Sequence, residues 1–251
     1  MKNFDNLHVK SVGNLGEESN KQPSDKKNEN DIEFQEIGGA KFNHGSRFKN
    51  GTPRWVVVHY TAMPGVGAES CTRSFSRTKR NVSTHFFCDS KGVYRVVDEQ
   101  HIAWHVGDGK VSQPIKGKNL SHAELAEFGD RKDWRFKLAA ENHIVWKNSS
   151  SDFKGNSDSF SVDICCIKGN NSTQSVSDQD WNFNPKAVLN AAKTVAYLCR
   201  KYKIDLDHVI RHCDATGKPC PRPFVSLLGD SDPTVNDNRW LEFKKMVKEY
   251  I

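Results

Sequence analysis

The sequence predicts an α/β fold. Three observations carry that expectation: a continuous apolar strand at residues 55–60, a strand–turn–strand pattern over residues 84–97, and two apolar-striped helical segments near residues 184–202 and 239–247. At roughly 150 residues per domain, a chain of 251 residues holds one large domain or two small ones.

Residues 17–31 contain no apolar side chain, so they cannot bury enough surface to offset the entropy of ordering them. The polar stretch 1–50 is therefore expected to be a disordered N-terminal segment, with the folded domain starting near Gly51-Thr52-Pro53 and running to residue 251. Trp55-Val56-Val57-Val58-His59-Tyr60 is β-branched and aromatic throughout, the signature of a strand buried on both faces. Ser70 to Arg80 reads as a short helix anchored by Phe75. Thr84–Asp89, Ser90-Lys91-Gly92 and Val93–Val97 read as a β-hairpin. The polar interval from Gly107 to Asn156 matches no element and is expected to be an insertion, around 108–155. Phe160 to Cys165 alternates, which puts Ser161, Asp163 and Cys165 on one face of a strand. Asn184-Pro185 supplies an N-cap and a proline at the first helical position. Val188, Ala192, Val195 and Cys199 then form the apolar stripe of a helix ending near Tyr202. A last short strand is expected within Asp205–Arg211, and a closing helix from Arg239 through Trp240, Phe243 and Val247.

Composition excludes several classes. No run of eighteen apolar residues exists, so no membrane-spanning helix is expected. Met1 to His8 lacks the apolar stretch of a classical secretory signal, which predicts synthesis in the cytoplasm. Seven cysteines at irregular spacing make a poor disulfide framework; free thiols are expected, one or more of them available to a metal. The net charge of +6 suits an anionic partner, though solvated lysines alone would produce it. A nucleic-acid surface would need clustered Lys/Arg with interleaved aromatics, and the charge here is scattered.

Two places offer chemistry. His59 ends the buried strand, and Arg211 to Pro221 brings His212 and Cys220 eight residues apart across a Gly/Pro-containing loop. Three N/S ligands with an open fourth position are what a catalytic zinc site requires. The residues alone leave the alternatives open: a strand-ending histidine is often a satisfied core residue, and a cysteine near a histidine is often coincidence.

Five segments in order resemble the zinc-dependent N-acetylmuramoyl-L-alanine amidases of the bacteriophage-lysozyme and peptidoglycan-recognition-protein type. They are Val56 to Ala62, Val82 to Phe86 with Asp89 to Gly92, Ala103-Trp104-His105-Val106-Gly107, Asn156 to Cys165, and His212 to Pro221. Together they cover about residues 53–250. The resemblance implies a single domain with a central mixed β-sheet flanked by helices, and a Zn2+ ion held by His59, His212 and Cys220. Cys220 stands where many relatives carry aspartate and others cysteine. Lys218 falls where relatives place an oxyanion-stabilising lysine. Asp163 aligns with the glutamate that one branch uses as general base, one methylene shorter; Glu141 is a weaker substitute for that role. Thr84 stands where another branch has a tyrosine. His85, Trp104 and His105 are expected to line the groove for the muramoyl-peptide, with His85 alternatively steadying a ligand imidazole. Cys71, Cys88, Cys165, Cys166, Cys199 and Cys213 are expected to be small buried hydrophobes.

The implied activity is hydrolysis of the amide between N-acetylmuramic acid and L-alanine by zinc-activated water. A non-catalytic peptidoglycan-recognition module of the same fold is the alternative, and retention of all three ligand types favours catalysis. The implied partners are peptidoglycan and muropeptides; composition argues against nucleic acid and membrane insertion, and the oligomeric state is left open, with a monomer expected. Such an enzyme would reach the cell wall after lysis or by non-classical secretion, as an endolysin or effector, or would serve in the cytosol as a recycling enzyme.

Overall fold

The computed structural model describes residues 32–37, 42–49, 51, 53–107, 153–169, 175, 178–216, 218–227, 230–232 and 234–251. The expected insertion, Glu141 included, falls almost wholly outside them. The strands are β1 (Phe34–Glu36), β2 (Trp55–Tyr60), β3 (Phe86–Cys88), β4 (Val93–Arg95), β5 (Ser159–Ile164), β6 (Cys166–Lys168), β7 (Trp181–Phe183) and β8 (Val209–Arg211). Six of them form a mixed sheet in the order β1-β4-β3-β5-β2-β8, which is the frame of the molecule. β2 lies between β5 and β8, parallel to both, which explains why it reads as an unbroken apolar run with all six residues buried. β3 and β4 are the antiparallel hairpin, shorter than the sequence pattern suggested. β6 and β7 make a separate antiparallel pair that follows β5.

Period-two alternation gives the sheet two unlike faces. On one, Val56, Val58, Tyr60, Phe86, Phe160, Val162 and Ile164 form the main core with helices α2 (Pro185–Tyr202) and α4 (Val235–Glu249). α2 starts as its sequence demands: the Asn184 side chain accepts from the Lys186 N–H at 2.9 Å, with proline at the first helical position. α4 begins four residues earlier than the Trp240–Phe243–Val247 stripe alone implied.

On the opposite face, two apolar clusters flank a polar strip. One joins Trp55, Val57 and Ile210 to Phe153. The other joins Phe87, Tyr94, Val96 and Val97 to α1 (Ala68–Arg77) through Ala68 and Cys71. α1 starts two residues before the expected Ser70 because its cap comes from elsewhere in the chain. Asp89 Oδ2 accepts from the Ala68 N–H at 2.8 Å, while Asp89 Oδ1 accepts from Lys91 and Gly92 in the hairpin turn. The carboxylate thus shapes one turn and caps another element.

The folded body also begins before the expected start near Gly51. β1 pairs parallel with β4, and the Phe34 ring lies 5.0 Å from that of Phe86. Buried Asn43 donates to the Phe75 and Thr78 carbonyls, closing the C-terminal end of α1. Among the described residues no helix is long and apolar enough to cross a membrane.

Candidate active site

The polar strip between the two clusters is where the sequence-singled residues meet. β2 carries His59 near its carboxyl end, and the parallel register of β5 sets Asp163 directly beside it on the same face. On the other side of β2, Arg211 pairs with Val58, so His212, opening the short helix α3 (His212–Thr216), emerges next to His59. The following loop turns back: the Cys213 N–H donates to the Cys220 carbonyl at 2.9 Å, and the Cys220 N–H to the Lys218 carbonyl at 2.7 Å. That return seats Cys220 beside both histidines.

His59 Nδ1 lies 3.1 Å from His212 Nδ1 and 3.7 Å from Cys220 Sγ, and the three ligand atoms all fall within 4.8 Å of one another. A tetrahedral ion with bonds of about 2.0–2.1 Å to nitrogen and about 2.3 Å to sulfur would hold its donors roughly 3.3–3.6 Å apart. The donor set therefore fits zinc in both chemistry and spacing. Electrostatics agrees for the imidazoles. Burial, helped by the neighbouring His212, His105 and Lys218 charges, holds His59 well below the usual imidazole range. Burial and Lys218 push His212 down to about 3. Both rings are neutral at pH 7 and so keep a lone pair. Burial pushes the Cys220 thiol up to about 12, against the pull of Lys218 and a hydrogen bond from the Tyr60 backbone.

Two further groups bear on the cluster electrostatically. Asp163 is driven up to about 7 by burial, opposed by the nearby Thr84 hydroxyl and by the charge of Lys218. Lys218 is exposed, yet its charge is felt by His59, His212, Asp163 and Cys220 together. Thr84, aligned with a tyrosine of one branch, sets its hydroxyl 2.9 Å from Ser161 Oγ on the neighbouring strand.

The three expected groove residues separate. His85 is fully buried: its Nδ1 accepts from the Ser161 N–H at 3.0 Å and its Nε2 donates to the His101 carbonyl at 3.0 Å. With both nitrogens taken and burial holding it near 4, it braces β5 and lines no groove. That corrects the groove role. His105 turns one nitrogen toward the cluster, Nδ1 lying 3.0 Å from His59 Nε2, and keeps a partly exposed edge. Its burial holds it neutral. Trp104 is also partly exposed, with its backbone N–H donating to Ser83 Oγ and its indole close against Gly45. Cys213 packs in an apolar group with Val225 and Leu227, its thiol 3.6 Å from Asp214 Oδ1, and is not among the three clustered ligand atoms.

Two polar residues at this site were given no role from sequence. Asn156 Oδ1 accepts from the backbone N–H groups of His105, Val106 and Gly107 at 2.9, 2.9 and 3.2 Å. Ser159 Oγ lies 3.2 Å from His105 Nε2. The period-two pattern that linked Ser161 to Asp163 reaches Ser159 too, so the signal was present.

A family model described as N-acetylmuramoyl-L-alanine amidase matches residues 49–223. The chain is 28% identical over 176 residues to the N-acetylmuramoyl-L-alanine amidase CwlL of Bacillus licheniformis, covering 68% of this chain and 36% of that protein. It is 25% identical over 197 residues to BlyA of Bacillus subtilis, an N-acetylmuramoyl-L-alanine amidase, covering 76% and 40%. The chain thus spans about two fifths of the length of the curated relatives it matches. Among solved structures it resembles PlyL, with TM-score 0.52, 20% identity and coverage of 86% of this chain and 97% of that one. The catalytic domain of XlyA gives TM-score 0.52 at 20% identity, covering 86% and 99%. At that identity the structural likeness shows the fold. The family match spans both edges of the polar strip, from the strand that carries His59 to the loop that carries Cys220, and this chain belongs to the N-acetylmuramoyl-L-alanine amidase family.

Proposed function

We propose that the chain is a zinc-dependent peptidoglycan hydrolase that cleaves the amide between the lactyl group of N-acetylmuramic acid and L-alanine. The observation that carries this reading is the convergence of His59, His212 and Cys220 within 4.8 Å, with Asp163 beside His59 in the sheet register and the charge of Lys218 acting on the cluster. His59 and His212, both neutral, and Cys220 as thiolate would hold the ion. When bound, zinc supplies a Lewis acid for the scissile carbonyl and lowers the pKa of water toward neutrality. Asp163 takes the proton that the attacking water loses and later returns it to the departing amine; a carboxyl near 7 is poised for both transfers. Lys218 faces the developing negative charge on the carbonyl oxygen. A thiolate ligand offsets part of the metal's charge, which leaves more of that stabilisation to the lysine. Trp104 and the accessible edge of His105 are the remaining candidates for contact with the muramoyl-peptide. The substrate is peptidoglycan or its muropeptides, and the place of action is the cell wall.

Digestion of purified peptidoglycan tests the bond. New L-alanine amino groups without new reducing sugar ends are expected, since no acid/nucleophile carboxylate pair of a glycosidase is proposed here. New reducing ends would refute the reading. Binding to peptidoglycan with no product would favour the recognition module instead.

A further inference from the structure

From the hydrogen bonds around His59 we infer that His105 and Ser159 are positioning residues for the metal site: together they hold His59 in the tautomer whose Nδ1 lone pair faces His212 and Cys220. This rests on the metal-dependent reading above and deepens it.

The proton accounting starts at the far end of the chain of contacts. The Ser159 hydroxyl donates its single proton to the Gly155 carbonyl at 2.8 Å. Its oxygen therefore accepts at the 3.2 Å contact with His105, and His105 Nε2 carries hydrogen. A neutral imidazole has one donor and one acceptor, so His105 Nδ1 is bare and accepts across 3.0 Å from His59 Nε2. His59 then carries its proton on Nε2 and presents a bare Nδ1. That atom is the one 3.1 Å from His212 Nδ1 and 3.7 Å from Cys220 Sγ. Reversing any link would set two lone pairs or two N–H groups against each other.

The support is rigid at both ends. Ser159 is the first residue of β5, fully buried and paired with Trp55 of β2, the strand that bears His59. The turn bearing His105 is tied down by three backbone N–H groups that donate to Asn156 Oδ1. The choice of partner also has an electrostatic consequence. Metal-ligating histidines commonly donate their far N–H to a carboxylate or a carbonyl. A carboxylate there would add a second negative charge to a site that already uses a thiolate, and would cut further into the charge of the ion. A neutral histidine backed by a hydroxyl orients the ligand without that cost.

Zinc affinity of the full chain, measured by competition with a chromophoric chelator, tests the inference, together with the ring ¹⁵N shifts of His59 before zinc is added. Wild type failing to bind zinc would bring down the metal-dependent reading itself. With wild type binding, His105→Ala is expected to weaken zinc affinity about 10- to 100-fold. His105→Asn, whose Oδ1 can take the acceptor position of Nδ1, should recover most of that loss. Ser159→Ala removes a single oxygen and serves where His105→Ala fails to fold: it should weaken zinc binding and move the His59 shifts from an Nε2–H pattern toward a mixture of tautomers. Wild-type affinity in His105→Ala, or in Ser159→Ala with the His59 tautomer unchanged, would overturn the inference. So would a loss in His105→Ala that asparagine leaves unrepaired, since the ring would then matter for its bulk.

Discussion

Replacing Asp163 with asparagine should make the metal-free protein more stable and the enzyme nearly inactive, and the first effect has a calculable pH dependence. The carboxyl is held at about 7 in the fold by burial, against about 3.9 in an unfolded chain. A folded-state pKa raised above the unfolded value leaves the fold unpenalised below about pH 3.9. Stability is then lost as pH rises, because only the unfolded chain releases the proton freely. At about 1.4 kcal/mol per pH unit, the loss is about 0.5 kcal/mol at pH 4, about 1.5 kcal/mol at pH 5 and about 4 kcal/mol at pH 8. Asparagine is nearly isosteric and carries no charge, so Asp163→Asn should restore most of that loss at pH 8 and almost nothing at pH 4. Urea unfolding in the presence of a chelator at both pH values measures it. In the amidase assay the same variant should lose about 10²-fold or more in kcat, while Asp163→Glu, reaching further with the same group, keeps substantial activity. A stability change that is independent of pH would show that the carboxyl is ionised in the fold without penalty. Near-wild-type activity in Asp163→Asn would place the base elsewhere.

Other expectations can be checked on the same preparations. Elemental analysis after gel filtration should find one zinc per chain. Cys220→Ser should weaken binding far more than Cys213→Ser, whose sulfur packs against Val225 and Leu227. Because His59 and His212 are already neutral and the Cys220 thiol sits near 12, binding should release close to one proton between about pH 6 and 8. Zinc affinity should then climb about tenfold per pH unit, and a flat profile would contradict these protonation states. Lys218→Ala should lower kcat by about 10²- to 10³-fold with zinc still bound, read by parallel activity and metal assays. Arg211→Met leaves Asp214 and Asp237 buried without their cation and should cost about 3–5 kcal/mol in urea unfolding.

Features written into a short stretch of chain were the ones sequence reading recovered best. The β-branched run at Trp55–Tyr60 and the Asn184-Pro185 start of α2 each depend on neighbouring residues only, and both stand where expected. The start of α1 was misplaced because its cap, Asp89, arrives from the β3–β4 turn. β1 was hidden inside a polar segment, since three residues paired at a sheet edge leave little pattern to read. At the site, the cluster of His59, His212 and Cys220 came from a resemblance, with spacing alone leaving coincidence open. What lay beyond local reading was the direction of each imidazole. A histidine in the sequence does not reveal whether its ring turns inward, as His85 does against Ser161 and His101, or toward another histidine, as His105 does. Those choices are made by strands far apart in the chain.

The arginine that immediately precedes His212 ties the loop of His212 and Cys220 to the closing helix. Arg211 is wholly buried, donating to the Phe224 carbonyl, to Asp214 and to Asp237 of α4. A buried guanidinium is tolerated only when its counter-charges are in place. Asp214 lies three residues along on the same loop, whereas Asp237 comes from α4, so the charge balance at Arg211 joins two elements far apart in the chain. The strand end that delivers His212 is thus coupled to the seating of α4. Loss of the Asp237 carboxylate from α4 should therefore loosen the end of β8 that presents His212, and not the helix alone.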